Sequence, residues 1–309
     1  MFISKLVAKL EAYDPFCLHR VNGLKAVFIL ELLFFVNLVY RIKDPFFYYF
    51  FIAMIGLLVE PAGKTVREKY VLVFLTLIGS IVSVLLFGIL SINQTLLVFF
   101  VFFYLLIFYF LAIRHFPILI VPVPIVFSLA AYSLLYAPHD RDFYVALNHG
   151  IVTLVALVVV FSGLILFPHR YYWKIWHRAL SKVLENVEHS MTRLFQGEPL
   201  TVPVMSSTII LERYSRMVFR HKNYFSILKI TLYAFQLVMA LSYSATFQQR
   251  LNQDLQALFL KYLGELRQSF QDQQRVLINT VDVPTFLATQ ELKTLYGLMR
   301  SWNYVCSVK

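Results

Sequence analysis

The sequence predicts an all-α membrane protein with about six transmembrane helices followed by a helical bundle in the cytoplasm. Only 15% of the 309 residues are charged and 59% are hydrophobic, whereas a typical soluble domain is about 25% charged. Six stretches in the first half are apolar enough to cross a bilayer. The second half changes to the spacing of amphipathic helices.

Residues 1–21 are expected to form an interfacial N-terminal segment. The apolar side chains of residues 1–10 fall on one face of a helix, and Lys5 and Lys9 lie off that face. Such a helix lies on the surface of a bilayer rather than across it. Asp14 and Pro15 are expected to end it.

The transmembrane domain is predicted to occupy residues 22–168. A spanning helix needs about 20 mostly apolar residues, and short polar segments separate the stretches that qualify. The second stretch is the shortest, and prolines interrupt the fifth. The six predicted spans are 22–40, 46–60, 70–90, 94–113, 116–137 and 145–167.

The distribution of Lys and Arg predicts that both termini are cytoplasmic. Cytoplasmic segments of membrane proteins carry an excess of these residues, and an even number of spans returns the chain to its starting side. With this orientation three basic residues fall in the outer loops: Arg41, Lys43 and Arg141. The inner segments hold Lys5, Lys9, Arg20, Lys64, Arg67, Lys69, Arg114, Arg170 and Lys174.

Residues 169–309 are expected to form the cytoplasmic helical domain, with helices near 170–196, 203–221, 224–249, 250–278 and 284–305. This half holds 17 Lys and Arg against 9 Asp and Glu, a balance that suits anionic headgroups or an anionic solute. Residues 225–247 are apolar enough to form a seventh span. Lys229 and Gln236 favour a buried helix of the bundle instead.

The sequence contains no pattern typical of an enzyme. It lacks a Walker lysine loop, a Gly-x-Ser-x-Gly element, paired histidines and a Cys-x-x-Cys pair. We therefore expect neither a catalytic residue nor a metal or cofactor. The positive charge lies mainly at membrane borders, which does not indicate nucleic-acid binding.

Glu31 is the most informative polar residue within a span. It lies nine residues into the first span, about 14 Å deep at 1.5 Å per residue. An ionised carboxylate at that depth is costly. We expect Glu31 to carry a proton next to a transported solute. The alternatives are a protonated Glu31 hydrogen-bonded to a neighbouring helix and a Glu31 paired with a basic residue.

Three further polar residues within spans are weaker candidates. Asn37 in the first span and Asn148 in the sixth are expected to hydrogen-bond between helices, the usual role of asparagine in spans. His149 lies near the outer border of the sixth span. An interfacial histidine is expected there, with a proton relay as the alternative.

Pro122 and Pro124 are expected to break the fifth span, because each removes an amide donor. Non-helical backbone in a membrane is buried in protein or lines a wet cavity, and broken helices often frame transport sites. A static kink is the alternative. Arg114, just before this break, either attracts an anion at the inner mouth or marks an inner loop.

One loop resembles a known family. Pro61, Gly63, Thr65 and Arg67, followed by Gly79 in the next span, are similar to the loop between the second and third spans of the fusaric-acid-resistance family, which includes aromatic acid exporters. The layout of six spans and a cytoplasmic helical domain also resembles that family. Larger relatives contain two such units, and this chain has one.

The resemblance implies export of aromatic carboxylates or similar organic anions across a bacterial inner membrane. It also implies a homodimer, and in some relatives a periplasmic adaptor protein. Together with Glu31, it leads us to expect proton-driven export. Plant anion channels have a similar layout, so a passive anion channel is one alternative. A non-transporting membrane scaffold whose cytoplasmic bundle binds a partner is another.

Overall fold

Every regular element in the described part of the chain is a helix. The computed structural model describes residues 13–42, 48–49, 63, 65–91, 93–136, 143–168, 170–196, 205–247 and 252–307. For these residues the predicted all-α fold class is confirmed. The interfacial helix predicted within residues 1–10 and nearly all of the predicted second span, 46–60, lie outside the described residues.

The chain divides into two compact units. The N-terminal unit is His19–Pro168, and the C-terminal unit is His169–Lys309 together with Met1–Leu18. Helices of the N-terminal unit are mostly uniformly apolar, whereas most of those in the C-terminal unit have one apolar face. The two kinds of helix suit two different solvents, hydrocarbon and water.

The N-terminal unit contains five α-helices among its described residues. They are α1 (Leu18–Tyr40), α2 (Val66–Leu90), α3 (Gln94–Arg114), α4 (Pro122–Tyr136) and α5 (Phe143–Leu166), with a 3-10 turn at Pro117–Ile120 before α4.

Four described helices are long and apolar enough to cross a membrane: α1, α2, α5 and the segment Tyr224–Tyr243 of the C-terminal unit. Shorter apolar stretches occur at Thr95–Phe110 in α3 and Pro122–Ser133 in α4. The chain thus has the apolar helices of a membrane protein. The predicted number of six spans stays a prediction.

Helix α2 is the centre of the N-terminal unit and packs along both α5 and α4. Small residues allow this close approach: a Cβ added at Gly88 would lie 2.2 Å from Cβ of Ala146 on α5. A Cβ added at Gly79 would contact Val126 on α4 at 3.4 Å. Small residues at helix contacts are typical of membrane bundles, where packing rather than water drives association.

The outward side of α3 is rich in exposed aromatic and aliphatic side chains, including Phe99, Phe102, Phe103, Leu106 and Phe110. In water such a surface would be a strong aggregation hazard. In a bilayer it is the expected surface of a helix that faces lipid.

The C-terminal unit is a bundle built around α6 (Arg170–Gln196). Buried side chains of α6 include Ile175, Trp176, Leu180 and Leu184. The other helices are α7 (Met205–Met217), α8 (Tyr224–Phe247), α9 (Gln253–Gln271), the short α10 (Val283–Phe286) and α11 (Gln290–Ser307).

Helix α9 ends at Gln271, earlier than the predicted residue 278. The chain turns at Gln273, whose φ is 54°. The following extended segment bonds to α11: Nε1 of Trp302 donates to the carbonyl of Gln274 at 2.9 Å, and Asn303 exchanges two hydrogen bonds with the backbone of Val276. These side chains satisfy backbone groups that a longer helix would have used internally.

Helix α11 begins at Gln290, later than the predicted start after Pro284. Pro284 instead lies in α10, which ends within one turn. Thr289 then caps the new helix, since its hydroxyl accepts a hydrogen bond from the amide of Leu292. The predicted single helix is therefore two helices separated by a turn.

Residues 225–247, the possible seventh span, form α8 within the C-terminal unit. Helix α8 packs against α11, α6 and α7. These contacts bury one stripe of its side chains: Ile227, Ile230, Ala234, Leu237 and Leu241. By length and composition α8 still qualifies as a spanning helix, but the bundle covers one of its faces.

Candidate functional site

The interior of the N-terminal unit contains buried polar side chains on α2, α4 and α5. Each is at most 5% exposed. Burying a polar group is costly unless it is hydrogen-bonded, so each of these side chains needs a hydrogen-bond partner inside the unit. The interior polar set, as we term it, consists of Thr76, Ser80, Ser83, Ser133, His149 and Thr153.

Three hydroxyls of this set donate to carbonyls one turn earlier in their own helix. Thr76 donates to Leu72 at 2.7 Å, Ser80 to Thr76 at 2.7 Å, and Thr153 to His149 at 2.8 Å. These bonds satisfy the hydroxyl hydrogens locally. The hydroxyl oxygens keep lone pairs that can accept from another group.

His149 is joined to a neighbouring helix by a side-chain hydrogen bond. Its Nδ1 lies 2.6 Å from Oγ of Ser133, which connects α5 to α4. The imidazole has no exposed surface. Histidine is the side chain whose ordinary pKa, about 6.5, lets it gain and lose a proton near neutral pH. The N-terminal unit therefore encloses a group able to bind a proton.

A second interhelical bond joins α2 to α3. Oγ of Ser83 and the hydroxyl of Tyr104 are 2.7 Å apart. The Tyr104 ring stacks on Phe100 with centroids 5.3 Å apart and contacts Phe87 at 6.1 Å. Tyr104 thus brings a polar group into the unit, whereas Tyr109 on the same helix is exposed.

An interfacial position of His149 in the membrane stays a prediction. His149 lies near the start of α5, as the sequence indicated, but it faces α4 and is fully enclosed. Close packing of α2 on α5 near Ala146 shields this end of α5. Distance from the end of a span does not show which side of the helix a residue occupies.

Glu31 lies on an exposed side of α1. It lines an open depression of about 560 Å³ with Val27, Leu30, Phe34 and Tyr49. The Tyr49 hydroxyl is buried and has no hydrogen-bond partner among the described residues. Pro122 and Pro124 do not line this depression, so Glu31 and the proline break belong to different places in the unit.

Asn37 caps its own helix rather than joining two helices, contrary to the expectation. Its Oδ1 accepts a hydrogen bond from the amide of Ile42 at 3.0 Å, and its carbonyl accepts from Arg41 at 2.8 Å. Arg41 has a φ of 47°, a left-handed conformation typical of helix ends. Asn37 therefore terminates α1. Asn148 is half-buried on α5.

Pro122 and Pro124 begin α4 rather than interrupt a longer helix. Their missing amides fall in the first turn, where amides have no acceptor within the helix. The actual break is the stretch between Arg114 and Pro122, which includes the 3-10 turn. Arg114 is exposed at the end of α3 with its guanidinium 5.5 Å from the centroid of the Phe110 ring.

The loop that carries the family resemblance has a structural role at the start of α2. The Thr65 hydroxyl accepts from the amide of Glu68 at 3.1 Å, and Glu68 accepts in return from the amide of Thr65 at 3.2 Å. This capping box satisfies two amides at the helix start. A Cβ at Gly63 would lie 2.7 Å from the backbone nitrogen of Lys69, so only glycine fits.

The other residues that carry the resemblance form no site among the described residues. Arg67 is exposed, Gly79 provides the contact with α4 described above, and Pro61 lies outside the described residues. Among the described residues, no three of the His, Cys, Asp and Glu side chains lie close enough together to hold a metal ion.

Comparison of the chain with protein-family models, with curated proteins and with solved structures gave no match. The resemblance to the fusaric-acid-resistance family therefore stays a prediction from the sequence.

Proposed function

We propose that this protein is a proton-driven exporter of small organic anions, aromatic carboxylates among them, and that His149 binds the coupled proton. The observation that carries the proposal is the hydrogen bond between His149 and Ser133 in the enclosed interior of the N-terminal unit. A titratable group buried among apolar helices is expensive to maintain. A role of His149 in proton coupling would account for this cost.

Protonation of His149 changes what the bond to Ser133 can be. When Nδ1 has no hydrogen, it accepts from the Ser133 hydroxyl. When Nδ1 is protonated, it donates, and the hydroxyl hydrogen must turn to another acceptor. A charged His149 requires the donating arrangement, whereas a neutral ring also allows the accepting one, so protonation restricts the contact between α4 and α5 to one of two hydrogen-bond arrangements. Two arrangements of one helix contact are what a coupled conformational change requires.

The proposed solute class is supported by the sequence. Basic residues predominate on the side predicted to be cytoplasmic, and Arg114 is exposed there at the end of α3. An excess of positive charge raises the local concentration of anions. The family resemblance specifies organic and aromatic anions within that class, and also the bacterial inner membrane.

The proposed working form is a homodimer in which the exposed side of α1 contacts a second copy. Helix α1 is the least buried of the long apolar helices, and Glu31 stands among exposed Val27, Leu30 and Phe34. A second copy on this side would remove Glu31 from lipid, where a carboxylate is costly. A periplasmic adaptor stays a prediction of the resemblance.

The test is flux into vesicles that contain the purified full chain. Radiolabelled phthalate serves as the probe, because a dianion crosses lipid poorly. An imposed pH gradient should drive its accumulation, and His149→Gln should abolish that dependence while the protein stays folded. His189→Gln, an exposed histidine of the C-terminal unit, is the matched control and should transport normally.

Each contrary result has a distinct meaning. Undiminished, pH-dependent flux in His149→Gln would exclude His149 as the proton-binding group. If only Glu31→Gln lost the coupling, Glu31 would be the carrier. Flux with steady electrical current and no dependence on the pH gradient would identify a passive anion channel. No flux of any tested organic anion would favour the scaffold.

A further inference from the structure

Helix α8 of the C-terminal unit has two apolar faces, although the bundle covers one. The uncovered stripe recurs at helical spacing and consists of the apolar Phe225, Leu232, Phe235, Met239 and Tyr243 with the polar Lys229 and Gln236. Phe225 is 84% exposed, and the other apolar members are about half exposed. A helix on the water-facing surface of a bundle normally carries polar residues on this side.

The apolar surface continues onto α7. A groove of about 490 Å³ runs between the two helices, and Leu228, Leu232 and Phe235 of α8 line it together with Ile209 and Leu211 of α7. Ile209 is exposed at its edge. The uncovered stripe of α8, the groove and Ile209 form one surface, here named the α7–α8 face.

Positive charge lies at one end of this face and within it. Residues 205–247 contain one acidic side chain, Glu212, and it is paired with Arg216. The exposed cations Arg216, Arg220 and Lys222 lie at the end of the α7–α8 pair where the two helices are joined. Lys229 lies within the apolar stripe itself.

We propose that the α7–α8 face rests on an anionic lipid bilayer, with α8 lying along the surface. Its apolar stripe would enter the boundary between headgroups and acyl chains, and its Lys and Arg would reach the lipid phosphates. Lys229 can do both, since its aliphatic stem suits the apolar layer and its ammonium extends to the phosphates.

Two observations favour a bilayer over other occupants of this face. Helix α8 has the length and composition of a spanning helix, yet the bundle occupies its second face. When α8 lies along the bilayer, its uncovered face can contact lipid while its other face stays packed in the bundle. A spanning α8 would have to leave the bundle or carry it into the membrane. A second copy docked face to face through a two-fold axis would present the same cationic surface to itself, which is electrostatically unfavourable. Anionic headgroups complement it.

The experiment measures how deeply α8 lies in lipid. In the full chain with Cys17→Ser and Cys306→Ser, a single cysteine replaces Met239 and is labelled with bimane. The protein is placed in vesicles of phosphatidylcholine and phosphatidylglycerol that contain lipids brominated at defined depths. Lipids brominated near the headgroup should quench the label strongly, and lipids brominated near the bilayer centre should quench it weakly.

The matched control carries bimane at Leu277→Cys. Leu277 is 88% exposed and lies in the same unit but not on the α7–α8 face, so no lipid should quench it. Charge reversal at Arg220→Glu and Lys222→Glu should weaken the quenching at position 239. Arg300→Glu, an exposed arginine of α11, should leave it unchanged.

Three results would overturn the proposal. A label at position 239 that only aqueous iodide quenches would show a face open to water. Strongest quenching from the bilayer centre would make α8 a seventh span. Cross-linking of two copies through position 239, without quenching by lipid, would make the face a contact between copies.

Discussion

Ser133 of α4 and His149 of α5 are joined by a 2.6 Å hydrogen bond at a place that solvent does not reach. They are only 16 residues apart in sequence, so the bond lies near one end of the helix pair. The bond links a hydroxyl, which can donate or accept, to the one imidazole of the interior polar set, whose ring nitrogens can each carry a hydrogen. Ser133 is therefore a positioning residue for the proposed proton-binding group.

Replacing Ser133 with alanine should move the midpoint of the pH dependence of flux without abolishing transport. The substitution removes the hydroxyl that orients the imidazole. The hydrogen bond to Ser133 differs in strength between neutral and protonated His149, so its loss changes the free energies of the two states by different amounts. Ser133→Thr retains the hydroxyl and should restore the midpoint. Ser128→Ala is the control, because that hydroxyl is exposed on the same helix and bonds to the carbonyl of Pro124. An unchanged midpoint in Ser133→Ala would remove Ser133 from the proposal.

Gly88→Ala should destabilise the N-terminal unit. The new Cβ would lie 2.2 Å from Cβ of Ala146, an atom fixed to the backbone of α5. The helices must therefore separate, at an expected cost of about 1–3 kcal/mol. Thermal unfolding in detergent should show a lower midpoint. Gly23→Ala on α1, where a Cβ meets nothing within 4 Å, should be neutral; equal losses in both variants would refute the steric argument.

Much of the fold could be predicted because hydrophobic periodicity is a local property. Helix α6 has the predicted bounds, 170–196, and the apolar character of the first half indicated membrane-spanning helices. Thr76, Ser80 and Ser83 recur at intervals of four and three residues, so their shared side of α2 was also available from the sequence. That polar stripe was a signal for the α2 members of the interior polar set, and His149 was the signal on α5.

The partners of the site residues could not be predicted from the sequence. Asn37 bonds to the amide of Ile42 because the chain turns at Arg41, and no pattern specifies that turn. His149 meets Ser133 because α4 and α5 both pack on α2, which fixes the rotation of each helix. Spacing along one helix shows which residues share a side of it. It does not show which other helix packs against that side, because that depends on the tertiary fold.

His221 should make the C-terminal unit less stable in acid. Its ring stacks on Trp173 with centroids 4.6 Å apart and an angle of 11° between planes, and its Nδ1 accepts from the amide of Asn223. Burial, and secondarily the charge of Lys222, lower the pKa of His221 below its ordinary value of 6.5. The folded protein therefore favours the neutral ring. The unfolding free energy should fall as the pH drops below about 6.5 and level off once the folded ring is also protonated.

Chemical unfolding in zwitterionic detergent at several pH values measures this effect. His221→Gln should flatten the acid limb of the unfolding free energy, whereas His189→Gln, at an exposed position of α6, should retain it. An unchanged acid limb in His221→Gln would assign the loss of stability to another group.

Tyr262→Phe should destabilise the bundle between α9 and the segment that precedes α11. The buried hydroxyl donates to Oδ2 of Asp282 at 2.6 Å and accepts from the amide of Asn279 at 3.3 Å. Its loss leaves both groups without this partner, at an expected cost of about 1–3 kcal/mol. Tyr304→Phe, at an exposed position of α11, should change the unfolding free energy little.

The Tyr262 hydroxyl should also lower the unfolding free energy at alkaline pH, where it ionises. Burial, followed by the hydrogen bond to Asp282, raises the pKa of Tyr262 above its ordinary value of 10.0. The folded state thus favours the neutral phenol, and its contribution is complete below pH 10 and is lost as the pH rises through the folded pKa. Ultraviolet titration of the phenolates should show that Tyr262→Phe removes one tyrosine from the late-ionising group. A spectrum in which the variant loses an early-ionising tyrosine instead would contradict the assignment.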